Sequence, residues 1–367
     1  MRTRDGVPGS RNAYGKTRTR AVRESGPESD ANVVAGAVVI VGPSEWADTS
    51  MELSTAKLQL KYGSLACMEV LGRTVLGRTI EELMRGKVHS ISVVADFSFS
   101  SAVMGEDNVG FSASKDVWRT ASEKAASFNA DAVLLIRLGA YMEFDAADML
   151  QFHGVHGRPV TRACNDDGWL DLWVIDPKTV TGDDDLRSSL QSTAAASYVM
   201  SGYVNRLESP RDMRRLVADG FAARCDFRPQ GSEVKPGIWM APGAQVERGA
   251  RIVAPAFIGR NSKIADQCLI TRGSNVESNS QVDYGTVIED STVLSNTYVG
   301  IGLDLSHSIA DGDNLLNLQH GVMLHISDPV VLRQMRDSRV RSGIDGSFLA
   351  NLDVRNMAMS SAPEKGQ

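Results

Sequence analysis

The sequence predicts an α/β domain with a mostly parallel sheet, followed by a repeat domain folded as a triangular prism. Three observations carry this. Short apolar runs alternate with helix-period patterns through the first half. An aliphatic residue then recurs every six positions from Val234 to Leu294. Between them lies Pro229–Pro236, a linker rich in Pro and Gly. The expected boundaries are a tail over 1–34, the α/β domain over 35–228, the repeat and its cap over 229–326, and a C-terminal helix and tail over 327–367.

Bulk composition limits the function classes. At 367 residues, 42% hydrophobic and 23% charged, the chain can build two packed cores. Its 39 basic and 45 acidic residues leave a net charge of -6, which excludes a broadly basic nucleic-acid binder. No run of about eighteen apolar residues exists, so no membrane span is expected. The four cysteines, Cys67, Cys164, Cys225 and Cys268, are far apart and form no CxxC pair. Neither a zinc site nor a disulfide scaffold is expected, and the compartment reads as reducing and cytoplasmic. Residues 1–34 are rich in Arg, Ser, Gly and Asp and lack an apolar period, so they read as a disordered tail without a signal-peptide core. Weak docking of that tail to an acidic partner is the functional alternative. Residues 355–367 read as a second frayed end.

The elements follow in order. Gly36–Gly42 is an apolar run ending in Gly, which suits a buried strand. Thr74–Arg85 places Val75, Leu76, Ile80, Leu83 and Met84 at helical spacing, with Gly86 as a left-handed stop. Val88–Ala95 is a second strand, Ser114–Phe128 a helix and Asp131–Leu138 a third strand. Asp145 caps a helix over Ala146–His156, closed by Gly157. Val160–Cys164 and Trp169–Asp176 flank Asn165-Asp166-Asp167-Gly168, a hairpin signal. Ser209-Pro210 opens another helix, whose buried stripe is Met213, Leu216, Val217 and Phe221. Strand–helix alternation implies helices on both faces of the sheet, with ligands beyond the carboxyl ends of the strands.

In the repeat, a small residue sits two positions before most of the aliphatic ones: Ala244, Ala250, Ala256, Ser262, Cys268, Ser274, Ser280, Thr286 and Thr292. Three hexads per coil would point the aliphatic residues inward and put the small ones near corners. Gly249, Asn261, Gly273, Asn279 and Gly285 supply residues able to take positive φ in the turns. One coil cannot bury its face alone, so the coils must stack. Cys268 fits as a structural corner residue. Residues 296–326 are expected to leave the repeat as a cap, and Asp328-Pro329 to start a final Arg-rich helix.

The repeat resembles the hexapeptide left-handed β-helix, and the handedness is implied by that resemblance. The whole arrangement resembles the sugar-1-phosphate nucleotidyltransferases, or NDP-sugar pyrophosphorylases. Val70-Leu71-Gly72-Arg73 resembles that family's V-x-G-[KR]-P stretch. Asp145 and the helix after it resemble the region following its N-G-D motif. Gly202-Tyr203 through Ser209-Pro210-Arg211-Asp212 looks like its G-x-W-x-D-I-G-T-P-E-D. The resemblance implies nucleotide binding at Gly42, Gly72 and Arg73, and sugar binding at Gly202, Tyr203 and Asn205. It also implies a role in polysaccharide biosynthesis, a homo-oligomer formed through the β-helix, and Mg²⁺ as cofactor where the activity is retained.

The chain departs from the family where the chemistry is done. A phosphate loop would fall on Gly42-Pro43-Ser44-Glu45-Trp46, of which Gly42 alone is kept. Pro43 has no N–H to donate and Glu45 repels phosphate. The clamp lysine would fall near Ser64-Leu65-Ala66, which holds no cation. The two magnesium aspartates align with Gly139 and Asn205, although a shifted register would bring in Glu143 or Asp145. Losing these groups together removes many kcal/mol of transition-state stabilisation. The expected protein is therefore catalytically degenerate, binding a nucleotide sugar or a partner protein, with no catalytic residue and no metal ligand assigned.

Two alternatives stay open. One is a working nucleotidyltransferase joining an NTP and a sugar 1-phosphate. The other is a hexapeptide-repeat acyltransferase with a histidine base, for which His307, His320 and His325 follow the repeat. His153 and His156 with Asp148 read as a structural pair ahead of a metal site. Asp183-Asp184-Asp185 reads as a solvated loop ahead of a cation site. Trp169 and Trp173 read as core or domain-contact residues ahead of a sugar platform. Gly36 to Gly42 lacks the Lys-Ser/Thr of a P-loop.

Overall fold

A computed structural model of the chain describes residues 34–41, 67–88, 90–96, 109–179 and 195–335, together with Leu186 and Leu190. These residues fall in one unit, so the two halves can be placed against each other. The expected tails, the segment Gly42–Trp46, Ser64–Ala66 and the Asp183–Asp185 run lie outside the described residues. Among the described residues no helix is long and apolar enough to cross a membrane.

The first half runs β1 (Ala35–Val41), β2 (Glu69–Val70), β3 (Arg73–Thr74), α1 (Val75–Arg85), β4 (Ser90–Ala95) and β5 (Val109–Ala113). It continues with α2 (Val117–Ser127), β6 (Ala132–Arg137), β7 (Tyr141–Met142), α3 (Ala146–His156), β8 (Val160–Asn165) and β9 (Gly168–Ile175). Then come β10 (Ala196–Val199), β11 (Val204–Asn205) and α4 (Pro210–Phe221). The main sheet has the order β10-β8-β9-β6-β1-β4-β5, with β9 antiparallel to both neighbours and the other pairs parallel. Side-chain alternation divides its core in two. Ala37, Val39, Leu134 and Ile136 pack with α1 and α3, while Val38, Ile40, Val133 and Leu135 pack with Ala121 and Ala125 of α2. Helices therefore cover both faces of a mixed, parallel-rich sheet.

Local chemistry explains the helix ends. The Asp145 side chain accepts from the Asp148 N–H, and Gly157 closes α3 at φ 57. Ser209 and Asp212 form a reciprocal capping box on α4, with Pro210 at its first turn. Gly86, by contrast, is not left-handed: its φ is -74, and Lys87 takes the positive φ of 64. Close packing is what Gly86 provides, since a Cβ there would lie 2.7 Å from the Ala146 Cβ.

The C-terminal half is made of short parallel strands in three sheets, an arrangement compatible with a β-helix. In the first coils each strand pairs with one 18 residues on, as Ile258 with Val276, Ile264 with Val282, and Ile270 with Ile288; later strands pair 17 residues on, as Asn275 with Thr292 and Val287 with Asp304. These aliphatic side chains are fully buried and share one core. The corner hydroxyls have a definite task. Ser280 Oγ donates to the Leu294 carbonyl at 2.8 Å and accepts from the Thr297 N–H at 3.2 Å. Ser262, Ser274, Thr286 and Ser291 make the same two-way bridge to the next turn of the chain. Buried corner groups are thereby satisfied without a wide side chain.

The expected six-residue frame and its bounds differ from the structure. Val234 is 51% exposed and lies on an antiparallel edge strand, Ser232–Lys235. After Ile288 the spacing drops to five, so Val293 and not Leu294 enters the core, and Ser291 replaces Thr292 at the corner. Leu294 turns outward into the core shared with the first half. The repeat then continues through Val299, Leu305 and Ala310, inside the segment expected to leave it. Asn261, Gly273, Asn279 and Gly285 do adopt positive φ; Gly249 does not. The expected final helix begins instead as a turn at Asp328 and a strand over Leu332–Gln334, antiparallel to Thr297–Val299.

A polar network joins the halves. Arg214 of α4, 9% exposed, donates to Asn275 Oδ1, Thr292 Oγ1, the Gly273 and Ser291 carbonyls and Asp290 Oδ1. Two carboxylates cross the junction in opposite senses. Glu277 of the repeat accepts from the Leu71 and Gly72 N–H groups at 2.8 and 2.9 Å. Glu69 of β2 accepts from the hydroxyls of Ser278 and Ser295.

Candidate functional site

The β2–β3 connection is a two-residue hairpin with Leu71 at φ 50 and Gly72 at φ 83, the twist that such turns favour. It turns both amides onto Glu277, so the Gly72 N–H is spent on the junction. A Cβ at Gly72 would meet Gln230 at 2.9 Å. Arg73 is ion-paired with Glu81.

Around α4 the sugar-side residues are also engaged. The Tyr203 hydroxyl donates to Asp219 Oδ2 at 2.6 Å, and burial together with that carboxylate pushes its pKa up. Asn205 is 4% exposed; its Oδ1 accepts from the Leu207 N–H at 3.0 Å and its Nδ2 donates to the Asp212 carbonyl at 2.9 Å. Gly202 lies against the Glu143 backbone, where a Cβ would stand 1.8 Å from the carbonyl oxygen.

A cleft of about 550 Å³ opens beside Gly202. Its lining comes from three separate stretches: the end of α1 with Arg85 and Lys87, the start of α3 with Glu143, Asp145 and Asp148, and the end of β10 with Tyr198 and Ser201. The Tyr198 hydroxyl donates to Asp148 Oδ2 at 2.7 Å. Glu143 Oε1 accepts from the Tyr141 hydroxyl at 2.8 Å and from the Asp226 N–H at 2.5 Å. Burial raises the Glu82 carboxyl pKa and holds the Tyr141 phenol well above its usual range. Chemically the cleft lining combines Lys87 and Arg85, the latter ion-paired with Glu82 at 2.7 Å, with further carboxylates and a phenol, groups of the kinds that bind phosphate and sugar hydroxyls.

Of the six residues singled out from the sequence, Gly202 lines this cleft. Gly72, Arg73, Tyr203 and Asn205 do not, and Gly42 lies outside the described residues. The cleft also brings in Arg85, Lys87 and Tyr198, which carry no motif in the sequence. Arg85 ends α1 and Lys87 follows its cap, a basic pair that reads equally well as a charged helix terminus.

Magnesium does not fit the positions the resemblance assigns to it. Gly139 has no ligating side chain, and both ends of the Asn205 amide are consumed. Glu143 and Asp145, the shifted-register options, are bonded to Tyr141, Asp226 and the Asp148 N–H. Among the described residues no group of three or more His, Cys, Asp or Glu could hold a metal. His153 Nδ1 bonds Thr161 Oγ1 at 2.8 Å, while His156 stacks on Phe152 with ring centroids 3.8 Å apart. Trp173 is buried edge-on to Trp118, but Trp169 is 49% exposed, with the Arg162 guanidinium 5.4 Å from its ring.

No family model matches the chain, and no curated protein matches its sequence. Among solved structures, it is similar to a Bacillus anthracis protein assigned as a glucose-1-phosphate thymidylyltransferase and solved with sucrose. The identity is 9%, the TM-score 0.39, and the match covers 49% of this chain and 93% of that one.

Proposed function

We propose that this chain is a nucleotidyltransferase-like protein of nucleotide-sugar and polysaccharide metabolism, with an α/β domain and a left-handed β-helix, that binds a nucleotide sugar in the cytoplasm without turning it over. The observation that carries the loss of catalysis is Asn205. It stands where the resemblance requires a magnesium carboxylate, and it is a buried structural amide with both ends committed. The cleft beside Gly202 supports the binding role, with Arg85 and Lys87 for phosphate and Asp145, Asp148 and Tyr198 for sugar hydroxyls.

The test is a thermal-shift series with NTPs, nucleotide sugars and CoA thioesters, each with Mg²⁺ and with chelator, beside an assay for released pyrophosphate. Stabilisation by a nucleotide sugar that survives chelator, with no pyrophosphate formed, is the expected result. Chelator-sensitive pyrophosphate release from an NTP and a sugar 1-phosphate would overturn it.

A second reading, a hexapeptide-repeat acyltransferase, is favoured by one contact. His307 Nδ1 lies 2.6 Å from Asp290 Oδ2 on a corner of the repeat, with 42% of the histidine side chain exposed. Stabilisation by a CoA thioester and loss of acyl transfer in His307→Ala would select it.

A further inference from the structure

Trp169 and Trp173 lie four residues apart on β9, but only one of them is covered. Trp173 is buried in the core that α2 closes, while Trp169 is exposed. Arg162 of β8 joins them. Its guanidinium lies 5.4 Å from the Trp169 ring and 5.1 Å from the Trp173 ring, so the three side chains share one face of the main sheet. The register carries this face to the sheet edge: Trp169 pairs with Cys164, and Cys164 with exposed Val199 of β10. Tyr198, next to Val199, turns the other way, packs on Phe152 of α3 and lines the cleft beside Gly202. The Trp169 face is therefore a second surface, on the opposite side of the sheet from that cleft.

Donors and acceptors both surround the exposed ring. Arg162 Nε donates to the Leu170 carbonyl at 3.1 Å, and its Nη2 reaches Asp171 Oδ1 only at 3.4 Å. Asp171 also takes Arg137, at 3.5 Å, and stays partly open to solvent. The Trp173 indole N–H is buried and has no hydrogen-bond partner among the described residues, so this face holds an unspent donor. Charge disfavours a polymer of either sign. Arg137 and Arg162 repel a cation, while Asp171 and the Asp166-Asp167 turn next to Trp169 repel an anion.

The ligand that fits is uncharged, with an apolar face for the indole and hydroxyls for the guanidinium and carboxylate. A pyranose ring has both: a face of axial C–H groups, and a rim of hydroxyls that donate and accept. We infer that this face binds a neutral oligosaccharide, with one sugar ring stacked on Trp169 and its hydroxyls held by Arg162 and Asp171. The row through Cys164 to Val199 continues the apolar floor, so the neighbouring sugar unit lies along it toward the sheet edge. An open face buries only part of each ring, so the affinity is modest. The site shares no residue with the cleft and stands whether or not the cleft takes a nucleotide sugar.

The experiment is isothermal titration calorimetry on the full chain with cellohexaose, maltohexaose and mannohexaose, beside tetragalacturonate and a glucosamine hexamer as acidic and basic controls. At least one neutral hexamer should bind, and both charged oligomers should bind more weakly by about tenfold or more. Trp169→Ala should weaken the neutral hexamer by about tenfold or more, while Trp169→Phe keeps a ring and recovers most of the affinity. Both variants should keep the wild-type thermal unfolding profile. A second readout needs no variant: bound hexamer should slow the labelling of Cys164 by Ellman's reagent, because that thiol lies in the covered row. Failure of every neutral hexamer to bind would overturn the inference. So would a charged oligomer binding as well as the best neutral one, a folded Trp169→Ala that binds like wild type, or Cys164 labelling that the hexamer leaves unchanged.

Discussion

Glu277 should make the protein less stable as pH rises through the neutral range. Its side chain is fully buried, and its pKa is pushed from an ordinary 4.5 up to about 8, first by burial and then by the negative charge of Glu69. Three N–H donors, from Leu71, Gly72 and Asn275, work against that shift, and burial outweighs them. The sign follows directly. Between pH 4.5 and 8 the folded protein keeps a proton on this carboxyl that the unfolded chain has released. Stability is then full at the acid end of that window and falls as pH rises through it, by at most about 1.4 kcal/mol per pH unit and a few kcal/mol in all. Urea unfolding from pH 5 to pH 8.5, on wild type and on Glu277→Gln, measures this. Other acids contribute to both profiles, so the readout is the difference in slope. Glutamine cannot ionise, and its profile should be flatter than wild type even if its absolute stability is lower. Equal slopes, or a wild type that gains stability across the window relative to the variant, would refute the reasoning.

Four further outcomes are expected. Arg214→Ala should cost about 3 kcal/mol in urea unfolding, because Asn275, Thr292 and two carbonyls lose a buried donor while Asp290 can still reach water; an unchanged midpoint would contradict the junction described above. Gly202→Ala should lower stability by more than about 2 kcal/mol, since the methyl group meets the Glu143 carbonyl. Gly154→Ala, where nothing lies within 4 Å inside α3, should raise it by roughly 0.5–1 kcal/mol. In native protein, Ellman's reagent should label half-buried Cys164 first, because burial pushes the Cys67 and Cys225 thiols up to about 12 and 11.

What could be read from the sequence depended on how local the signal was. Asp145 and Gly157 mark the ends of α3 because a cap acts within three residues of itself. The repeat was legible because each inward position must be aliphatic and each corner must be small. Its shortened corner after Ile288 was not, because Val293 and Leu294 are both apolar and a six-residue frame accepts the wrong one. Strand β5 has no clear sequence signal for a related reason. Val109–Ala113 is a half-exposed edge strand with one large apolar residue between Gly and Ser, too weak a pattern to announce itself.

The residues of the candidate site were hidden by a different cause. Glu277 lies between Val276 and Ser278, in a setting that reads as a solvated rung. What buries it is the hairpin at Leu71-Gly72, more than two hundred positions earlier in the chain. The same holds for the cleft. Arg85, Asp148 and Tyr198 converge because β10 lies beyond β8 at one edge of the main sheet, which brings its end back beside α3. Strand order is a property of long-range pairing, and periodicity carries none of it. A motif match can therefore locate a loop such as Val70–Arg73 without saying what its amides face. The residue types at the loop persist, but their amides face whatever element the rest of the chain packs against them, and here that element is a buried carboxylate of the repeat.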